Sequence, residues 1–276
     1  MFAPLGMYSY DLRTALFIFG AAVLLAAGLL VGARASHLTS LRRLLTGLAV
    51  GILLIGAVLF LLPQFSRVED PGARTATQAK LRWILLAFHL YHENENHGHL
   101  PDDIRDRAGK ALLSWRVAIL PYFDVPEFDA LYKEFKLNEP WDSPHNIELL
   151  AKMPKLYAPA LAKVEPGHTF FQCFKGRHAA IRPDKPRRLG DDFPVGTSNT
   201  ILIAEGGEAV PWTKPADLEF EPDKPLPPLG GAFKDYIHVA FVDGSTRSLR
   251  KDKIHWDRLP AWITPDGGEE HLPLDD

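Results

Sequence analysis

Two long apolar stretches dominate the hydrophobic pattern in the first quarter of the chain. Residues 14–33 (TALFIFGAAVLLAAGLLVGA) and residues 44–65 (LLTGLAVGILLIGAVLFLLPQF) contain no charged side chain. Each matches the ~20 apolar residues with which an α-helix spans a hydrocarbon core ~30 Å thick. A helix buried in a soluble protein is rarely apolar on all sides over this length. The pattern therefore predicts two membrane-spanning helices.

The basic residues around these stretches predict their orientation. The loop between them has no acidic residue and contains Arg34, His37, Arg42 and Arg43. By the positive-inside rule, this loop lies in the cytoplasm and the segment after the second helix lies outside it. We therefore expect residues 1–66 to form a two-helix anchor in the cytoplasmic (inner) membrane. Residues 67–276 are expected to form one extracytoplasmic domain.

One alternative concerns the first apolar stretch. Ala33-Arg34-Ala35 follows it with the small-residue spacing of a signal-peptide cleavage site. The preceding flank is not net positive, and the stretch is longer than the apolar region of most signal peptides. Cleavage would leave a single helix and would still place the following domain outside.

The next apolar pattern has the period of an amphipathic helix. Between Ala73 and His97, apolar residues recur at steps of three and four, namely Leu81, Ile84, Leu85, Phe88 and Tyr91. Gly98 and Pro101 are expected to end this helix. Three shorter segments are also predicted to be helical: WRVAILPYF (115–123), EFDALYKEF (127–135) and NIELLAKM (146–153).

From residue 155 onward the pattern changes to short runs rich in β-branched and aromatic residues. LYAPA, TFFQCF, NTILIAE and YIHVAFV are predicted strands, separated by clusters of Pro, Gly and Asp. Asp243-Gly244 predicts a two-residue hairpin turn with positive φ angles. The proline-rich segment 214–231 is expected to be an ordered surface loop. Helices followed by strands predict an α+β fold, with a small antiparallel sheet packed on a long helix.

Charge and cysteine content exclude several classes of protein. The formal net charge is −3, so no basic excess favours nucleic-acid binding. Cys173 is the sole cysteine of the chain, so an intrachain disulfide is impossible. Because Cys173 lies within an apolar run, we expect a buried core residue and not a reactive thiol.

No known catalytic motif occurs in the chain. It has no P-loop, dinucleotide-binding glycine motif, G-x-S-x-G elbow, H-E-x-x-H motif or paired C-x-x-C. We therefore predict a protein that is not an enzyme, with no catalytic residues and no cofactor.

The segment HLYHENENHGH holds four imidazoles that could bind Zn²⁺ or Ni²⁺, those of His89, His92, His97 and His99. Histidine is also favourable at a helix C-terminus, and on that interpretation we predict no metal site.

The decapeptide LNEPWDSPHN (137–146) brings ionisable and aromatic groups together between two prolines. The prolines fix their own φ angles and favour extended geometry in the residues before them. Trp141 could fill the junction between helix and sheet, and Asp142 or Ser143 could cap a helix that begins near His145. We predict that Pro140, Trp141, Asp142 and His145 form a structural motif, with ligand binding as the alternative.

A second aromatic candidate lies in VPWTKP (210–215). Trp212, on a loop between prolines, could stack on a sugar or contact a partner protein, or it could fold back on the core. A deep pocket lined by Trp212, Glu205 and Asp243 would indicate ligand binding. Dispersed side chains on a shallow surface would favour a scaffold.

Five segments of the chain resemble, in order, a large paralogous family expanded in planctomycetes. They are residues 73–101, 110–123, 130–159, 197–218 and 238–250. The family is a domain of unknown function with a prepilin-like N-terminus, and it is similar to type II secretion pseudopilins. It is sometimes labelled solute-binding. The resemblance implies a long N-terminal helix followed by a small antiparallel sheet, and a proline-tryptophan turn with an architectural role.

The chain departs from this family at its start. The family's prepilin motif has a glycine at the position of Leu41 and a glutamate at the position of Thr46. Without them, and with a preceding apolar helix, we expect no prepilin processing and no filament. Association of two copies through the small residues Gly47, Gly51 and Ala57 stays possible.

These observations predict a membrane-anchored, extracytoplasmic cell-envelope scaffold or protein-interaction module. The alternative is an extracytoplasmic domain that binds carbohydrate or another solute. Membrane and other envelope proteins are the expected partners, and nucleic acid is not.

Overall fold

The computed structural model describes residues 12–35, 39–65, 71–94, 98–190, 192–266 and 273–275. Its contacts divide the chain into two compact units, Met1–Glu69 and Asp70–Asp276. The boundary falls within a few residues of the one predicted between anchor and domain.

The N-terminal unit is a pair of packed helices, α1 (Leu12–Ala35) and α2 (Thr39–Phe65). Each of the two apolar stretches is thus helical, as predicted. Ala26 and Ala49 are buried, whereas larger apolar side chains are exposed, among them Leu24, Leu25, Val31, Leu44, Leu48 and Leu54. Over the residues that the structure describes, no helix is both long enough and apolar enough to cross a membrane, contrary to the expectation of two spans.

The second unit begins with the predicted amphipathic helix, α3 (Pro71–Glu93). Proline suits the first position of a helix because no intrahelical bond is lost there. The inner face of α3 is buried through Leu81, Ile84, Leu85 and Phe88, as the apolar period predicts. Gly98, with a φ of 61°, lies beyond the helix end, and His97 lies outside the described residues.

A five-stranded sheet packs against α3. Its strands are β3 (His168–Lys175), β4 (Ile201–Pro211), β5 (Leu218–Glu219), β6 (Tyr236–Phe241) and β7 (Thr246–Arg250), in the order β5-β3-β4-β6-β7. Neighbours are antiparallel except β5, which runs parallel to β3. The fold is therefore α+β with a long helix on a mixed sheet, and the prediction of a purely antiparallel sheet was wrong. The parallel strand forms because the Phe220 N–H donates to the Lys175 carbonyl at 2.7 Å, on the outer side of β3.

Shorter elements connect α3 to the sheet. They are a two-stranded hairpin, β1 (Ile104–Arg105) and β2 (Ala111–Leu113), the helices α4 (Trp115–Ala118) and α5 (Pro126–Glu134), and 3-10 helices at Leu120–Phe123 and Asn146–Lys152. The three short helical segments are thus confirmed. LYAPA (156–160) forms a turn and not a strand, because Pro154 precedes it, Pro159 lies within it, and the Tyr157 N–H donates to the Pro154 carbonyl at 3.0 Å.

The turn between β6 and β7 has three residues, Val242-Asp243-Gly244, and not two. Gly244 alone has positive φ (92°), and the Phe241 N–H bonds to the Ser245 carbonyl at 2.9 Å. This is the geometry of a hairpin with a glycine bulge. The Asp243 carboxylate accepts from the Ser245 N–H at 2.9 Å, which holds Asp243 in place within the turn.

Both faces of the sheet are covered. On one face, residues of α3 and α4 pack with Phe171, Leu202 and Val242; the rings of Phe88 and Trp115 lie edge to face at 5.0 Å. On the other face, Phe174, Val239 and Phe241 pack against α6 (Leu259–Ile263). The segment 214–231 is bonded to β4 through its backbone. The Gly207 N–H donates to the Pro228 carbonyl at 2.7 Å, and the Gly230 N–H donates to the Glu205 carbonyl at 2.6 Å.

Candidate functional site

The turn between the two prolines is held together by Asn146, a residue that the sequence did not single out. Its side chain is buried; the amide nitrogen donates to the carbonyls of Lys136, Glu139 and Pro140 at 3.0–3.1 Å, and its oxygen accepts from the Lys136 N–H at 3.1 Å. One amide thus satisfies four backbone groups of a segment without regular structure. The signal in the sequence was an asparagine directly after a proline-bracketed turn.

The predicted structural residues of this turn have different roles. The backbone N–H of Trp141 donates to the Leu112 carbonyl at 2.8 Å, and this bond joins the turn to β2. The Trp141 ring is half-buried at the edge of the core. The Lys214 ammonium lies 5.5 Å from the centre of that ring. His145 bonds through Nε2 to the Glu134 carbonyl at 2.8 Å. Asp142 is exposed and makes no cap; the Ser143 hydroxyl accepts from the Asn146 N–H instead.

The three proposed ligand-binding residues lie in three different environments. Trp212 is fully buried: its indole N–H donates to the Leu150 carbonyl at 3.1 Å, and its ring stacks on Tyr157 at 5.8 Å. Of the two alternatives for Trp212, the structure shows the one in which the ring folds back on the core, because aromatic partners distant in sequence enclose it. Asp243 is exposed in the β6–β7 turn. Glu205 is buried within β4.

Glu205 forms a buried pair with His238 on the adjacent strand β6. One carboxylate oxygen accepts from the His238 N–H at 2.9 Å and lies 2.7 Å from its Nδ1. The carboxylate therefore favours a proton on Nδ1. The Phe233 ring lies 4.6 Å from the imidazole. The pair fixes the register of β4 and β6 and is closed to solvent.

The strongest concentration of charge is a cluster that the sequence analysis missed. We define the charged cluster as Asp102, Asp103, Arg116, Lys175 and Asp217. The Lys175 ammonium lies 2.5 Å from the Asp103 carboxylate and 3.1 Å from those of Asp102 and Asp217, and Arg116 lies 3.0 Å from Asp217. In the sequence, Arg116 and Lys175 each stand in or at the end of an apolar segment. A charged residue at such a position was the signal that could have indicated a buried charged cluster.

Burial shapes the protonation of this cluster. Burial alone would lower the pKa of Lys175, but the three carboxylates raise it well above its ordinary value. Burial raises the pKa of Asp103; the Lys175 ammonium offsets this only in part, and Asp217 adds to it. For Asp102, burial is outweighed by Lys175 and Arg105, which lower the pKa. At neutral pH the ammonium is therefore firmly held among carboxylates.

An open groove lies beside the cluster. It has a volume of about 750 Å³, with Ile104, Leu112 and Leu137 among its lining residues and Arg105 and Arg107 beside them. Arg105 connects the groove to the cluster, since its guanidinium lies 3.1 Å from Asp102 and 3.8 Å from Asp103. The groove has the size of a small-molecule site, and its lining combines apolar side chains with two arginines and the acidic Asp106. Trp212, Glu205 and Asp243 do not line it.

The histidines near the end of α3 are separately engaged. His89 bonds through Nε2 to the Val242 carbonyl at 2.8 Å, and the Nε2 of His92 accepts from the Leu189 N–H at 3.2 Å. Burial, and next the nearby His89, lower the pKa of His92. In the part of the chain that the structure describes, no group of three or more potential ligands is arranged to hold a metal ion. Cys173 is buried and free, as expected, and burial raises the pKa of its thiol.

The geometry defines an α+β domain, a long helix on a mixed sheet, with a buried charged cluster that joins α4, β3 and the start of β5 and with an open groove beside that cluster. Residues 73–188, from α3 to the loop after β3, match the family described as "Protein of unknown function (DUF1559)". This part of the chain, less than half of its length, is similar to that family. Neither the curated proteins nor the solved structures include one that is significantly similar to it.

Replacing Asn146 by alanine should destabilise the domain by about 3 kcal/mol, because several buried backbone groups lose their partner. Asn146→Asp keeps the shape and the accepting oxygen but cannot donate, so it should be destabilised too. Urea unfolding followed by fluorescence measures both. The neighbouring His145→Ala, which removes one bond of a half-buried side chain, is the control. Equal stability of Asn146→Ala and His145→Ala would contradict this role.

Replacing Lys175 by methionine should destabilise the domain by about 3–5 kcal/mol at pH 7, because three carboxylates lose their buried counter-charge. Without the ammonium, burial raises the folded-state pKa of Asp103 further above its unfolded value, and the pKa of Asp102 rises as well. Their protonation then stabilises the fold at low pH, and this contribution is lost as pH rises through the folded pKa values. The deficit relative to wild type should therefore shrink between pH 7 and pH 4.

Urea unfolding at each pH provides this measurement. The matched control is Lys133→Met, which removes an exposed ion pair with Asp129 and should change stability little. A deficit for Lys175→Met that is small, or that does not depend on pH, would show that the cluster is not a coupled buried network.

Proposed function

We propose that the protein is a non-enzymatic, membrane-attached interaction module of the cell envelope. The unit Met1–Glu69 attaches it to the membrane, and the unit Asp70–Asp276 engages other envelope proteins outside the cytoplasm. A long helix followed by a sheet also supports the proposed likeness to pilin-like domains of a family expanded in planctomycetes.

One observation carries the proposal: the apolar exposure of the helical pair. Leu24, Val31, Leu44 and Leu54 are 75, 70, 68 and 62% exposed. Contiguous exposed apolar surface marks contact with a membrane or a partner. Gly47 and Gly51 border an open groove of about 440 Å³ on α2, and a Cβ at either position would contact nothing within 4 Å. Small residues of this kind support association of two helical pairs in a membrane, without a filament.

The buried ionisable groups support the non-enzymatic part of the proposal. Two pairs, Lys175 with Asp217 and Glu205 with His238, have side chains that are closed to solvent. A catalytic acid or base has to come within hydrogen-bond distance of a substrate. These groups are used within the fold, where they fix neighbouring elements.

Membrane attachment predicts that the full chain stays in the membrane fraction after an alkaline carbonate wash. A variant with Leu24→Gln, Leu44→Gln and Leu48→Gln should be released, because it loses exposed apolar side chains from both helices. The control variant carries Ile147→Gln, Leu161→Gln and Trp256→Gln, three exposed apolar positions of the other unit, and should stay bound. Release of the wild-type chain by carbonate would refute attachment through this unit.

The proposed extracytoplasmic location has its own test. If the location is correct, protease added to intact cells should remove the unit Asp70–Asp276. Complete protection of that unit in cells with an intact envelope, together with its loss after lysis, would refute the extracytoplasmic location.

The groove favours a second candidate function, the binding of a small solute. Its volume of about 750 Å³, its apolar side and the exposed Arg107 would suit an acidic sugar with one apolar face. Calorimetric titration of the full chain with neutral and acidic monosaccharides should then show binding to the acidic ones. Leu137→Trp, which fills the groove, should abolish it, whereas Leu161→Trp on the surface should not. The absence of binding across the panel would exclude these sugars as ligands.

A further inference from the structure

The outer face of α3 carries a second apolar stripe, separate from the face that covers the sheet. We define the outer stripe as Ala76, Ala79, Trp83, Leu86 and Leu90; all five are exposed, with Trp83 at 55%, Leu86 at 50% and Leu90 at 40%. The contacts within the domain use the inner face of the helix. A helix that is apolar on both faces over its length is unusual for one that covers a core from outside.

The spacing of the outer stripe fits a second helix. Its residues are separated by three, four, three and four positions, which is the a/d spacing at which two α-helices pack side by side. Isolated surface leucines need no explanation, but a continuous seam with this period does. The stripe is about four turns long, so a partner helix of similar length would cover it.

The order of residue sizes indicates what that helix is. The small residues Ala76 and Ala79 lie at the N-terminal end, Leu86 and Leu90 at the C-terminal end, and Trp83 at the midpoint. If a second copy of α3 packs antiparallel about an axis at Trp83, each alanine faces a leucine of the other copy. A parallel pair would set alanine against alanine and leave a gap. The stripe is thus self-complementary in the antiparallel direction, as a two-fold interface requires.

Charge favours the same arrangement. Glu93, the last residue of α3, is exposed, whereas Arg74 near the N-terminus stacks on Tyr236 of β6 and lies away from the outer stripe. Antiparallel packing brings Glu93 of one copy toward the positive N-terminus of the other helix, whereas parallel packing sets the two Glu93 carboxylates together. Arg82, exposed beside Trp83, can lie over the indole of the other copy.

We propose that the outer stripe of α3 is a homodimer interface, in which two copies of the chain pack their α3 helices antiparallel about Trp83. The interface is independent of the proposed association through α1 and α2 and of the groove. It would give an envelope module two copies of every binding surface, related by a two-fold axis.

Cysteine cross-linking of the full chain tests the geometry. Cys173 is buried, so a short bis-maleimide reacts with introduced cysteines alone. Trp83→Cys should cross-link to itself. Ala76→Cys and Leu90→Cys should not do so separately, but a mixture of the two variants should cross-link. Self-cross-linking of both end variants would indicate a parallel pair, and the absence of any cross-link would indicate no α3 interface; either result overturns the proposal.

Disruption of the stripe tests its contribution to affinity. Trp83→Glu in the full chain should raise the dimer Kd at least about thirtyfold, the loss expected when an interface hot spot is replaced by a charge. Trp256→Glu, the same change at an exposed site away from α3, should leave the Kd unchanged. Sedimentation equilibrium measures both, and circular dichroism checks that each variant is folded.

Binding to lipid is the competing use of the stripe. If Trp83→Glu leaves the Kd unchanged but lowers flotation with vesicles of phosphatidylglycerol and phosphatidylethanolamine, the stripe contacts a membrane and the proposal fails. A lower affinity between copies with unchanged flotation supports the dimer.

Discussion

The domain depends on one buried carboxylate, that of Asp217. A single oxygen of it accepts from the Trp115 indole N–H at 3.0 Å, the Cys173 backbone N–H at 2.9 Å and the Arg116 guanidinium at 3.0 Å. Its other oxygen lies 3.1 Å from Lys175. These contacts join α4, β3 and the start of β5. A buried negative charge is tolerated only where it is paired in this way, so the elements that pair it must come together for any of them to fold.

The same constraint explains the distribution of chemistry in the molecule. Arg116 uses its remaining donors on the Phe171 carbonyl and the Ser114 hydroxyl, and its own carbonyl accepts from the Tyr157 hydroxyl at 2.9 Å. Groups that would be reactive in an open cleft are thus bonded within the fold. The surfaces proposed above for recognition are open ones instead: the groove beside Arg105, the helical pair of the N-terminal unit and the outer face of α3.

The parts of the fold that sequence predicted are those with a local signal. The inner face of α3 has a clear period, and runs such as TFFQCF and YIHVAFV have the composition of buried strands, so these elements were found. Strand β5 has two residues and directly follows Asp217, whose carboxylate bonds to residues of β3 and α4; these contacts are distant in sequence, and no local pattern records them. Trp212, between prolines in a polar segment, has the composition of a surface loop. It is buried because Phe135 and Tyr157 arrive from other parts of the chain to enclose it.

The single thiol of the domain, that of Cys173, can be used to detect unfolding of the sheet. Cys173 is fully enclosed on β3, and burial, with Asp217 nearby, holds the pKa of its thiol well above the ordinary value. A thiol in this state is neither exposed nor ionised, so it reacts with alkylating agents only in molecules whose sheet has come apart. The rate of its modification therefore reports how often the sheet opens when alkylation is faster than reclosing, and the open fraction when it is slower. Because the chain has one cysteine and therefore no intrachain disulfide, its fold does not depend on whether the surroundings are oxidising or reducing.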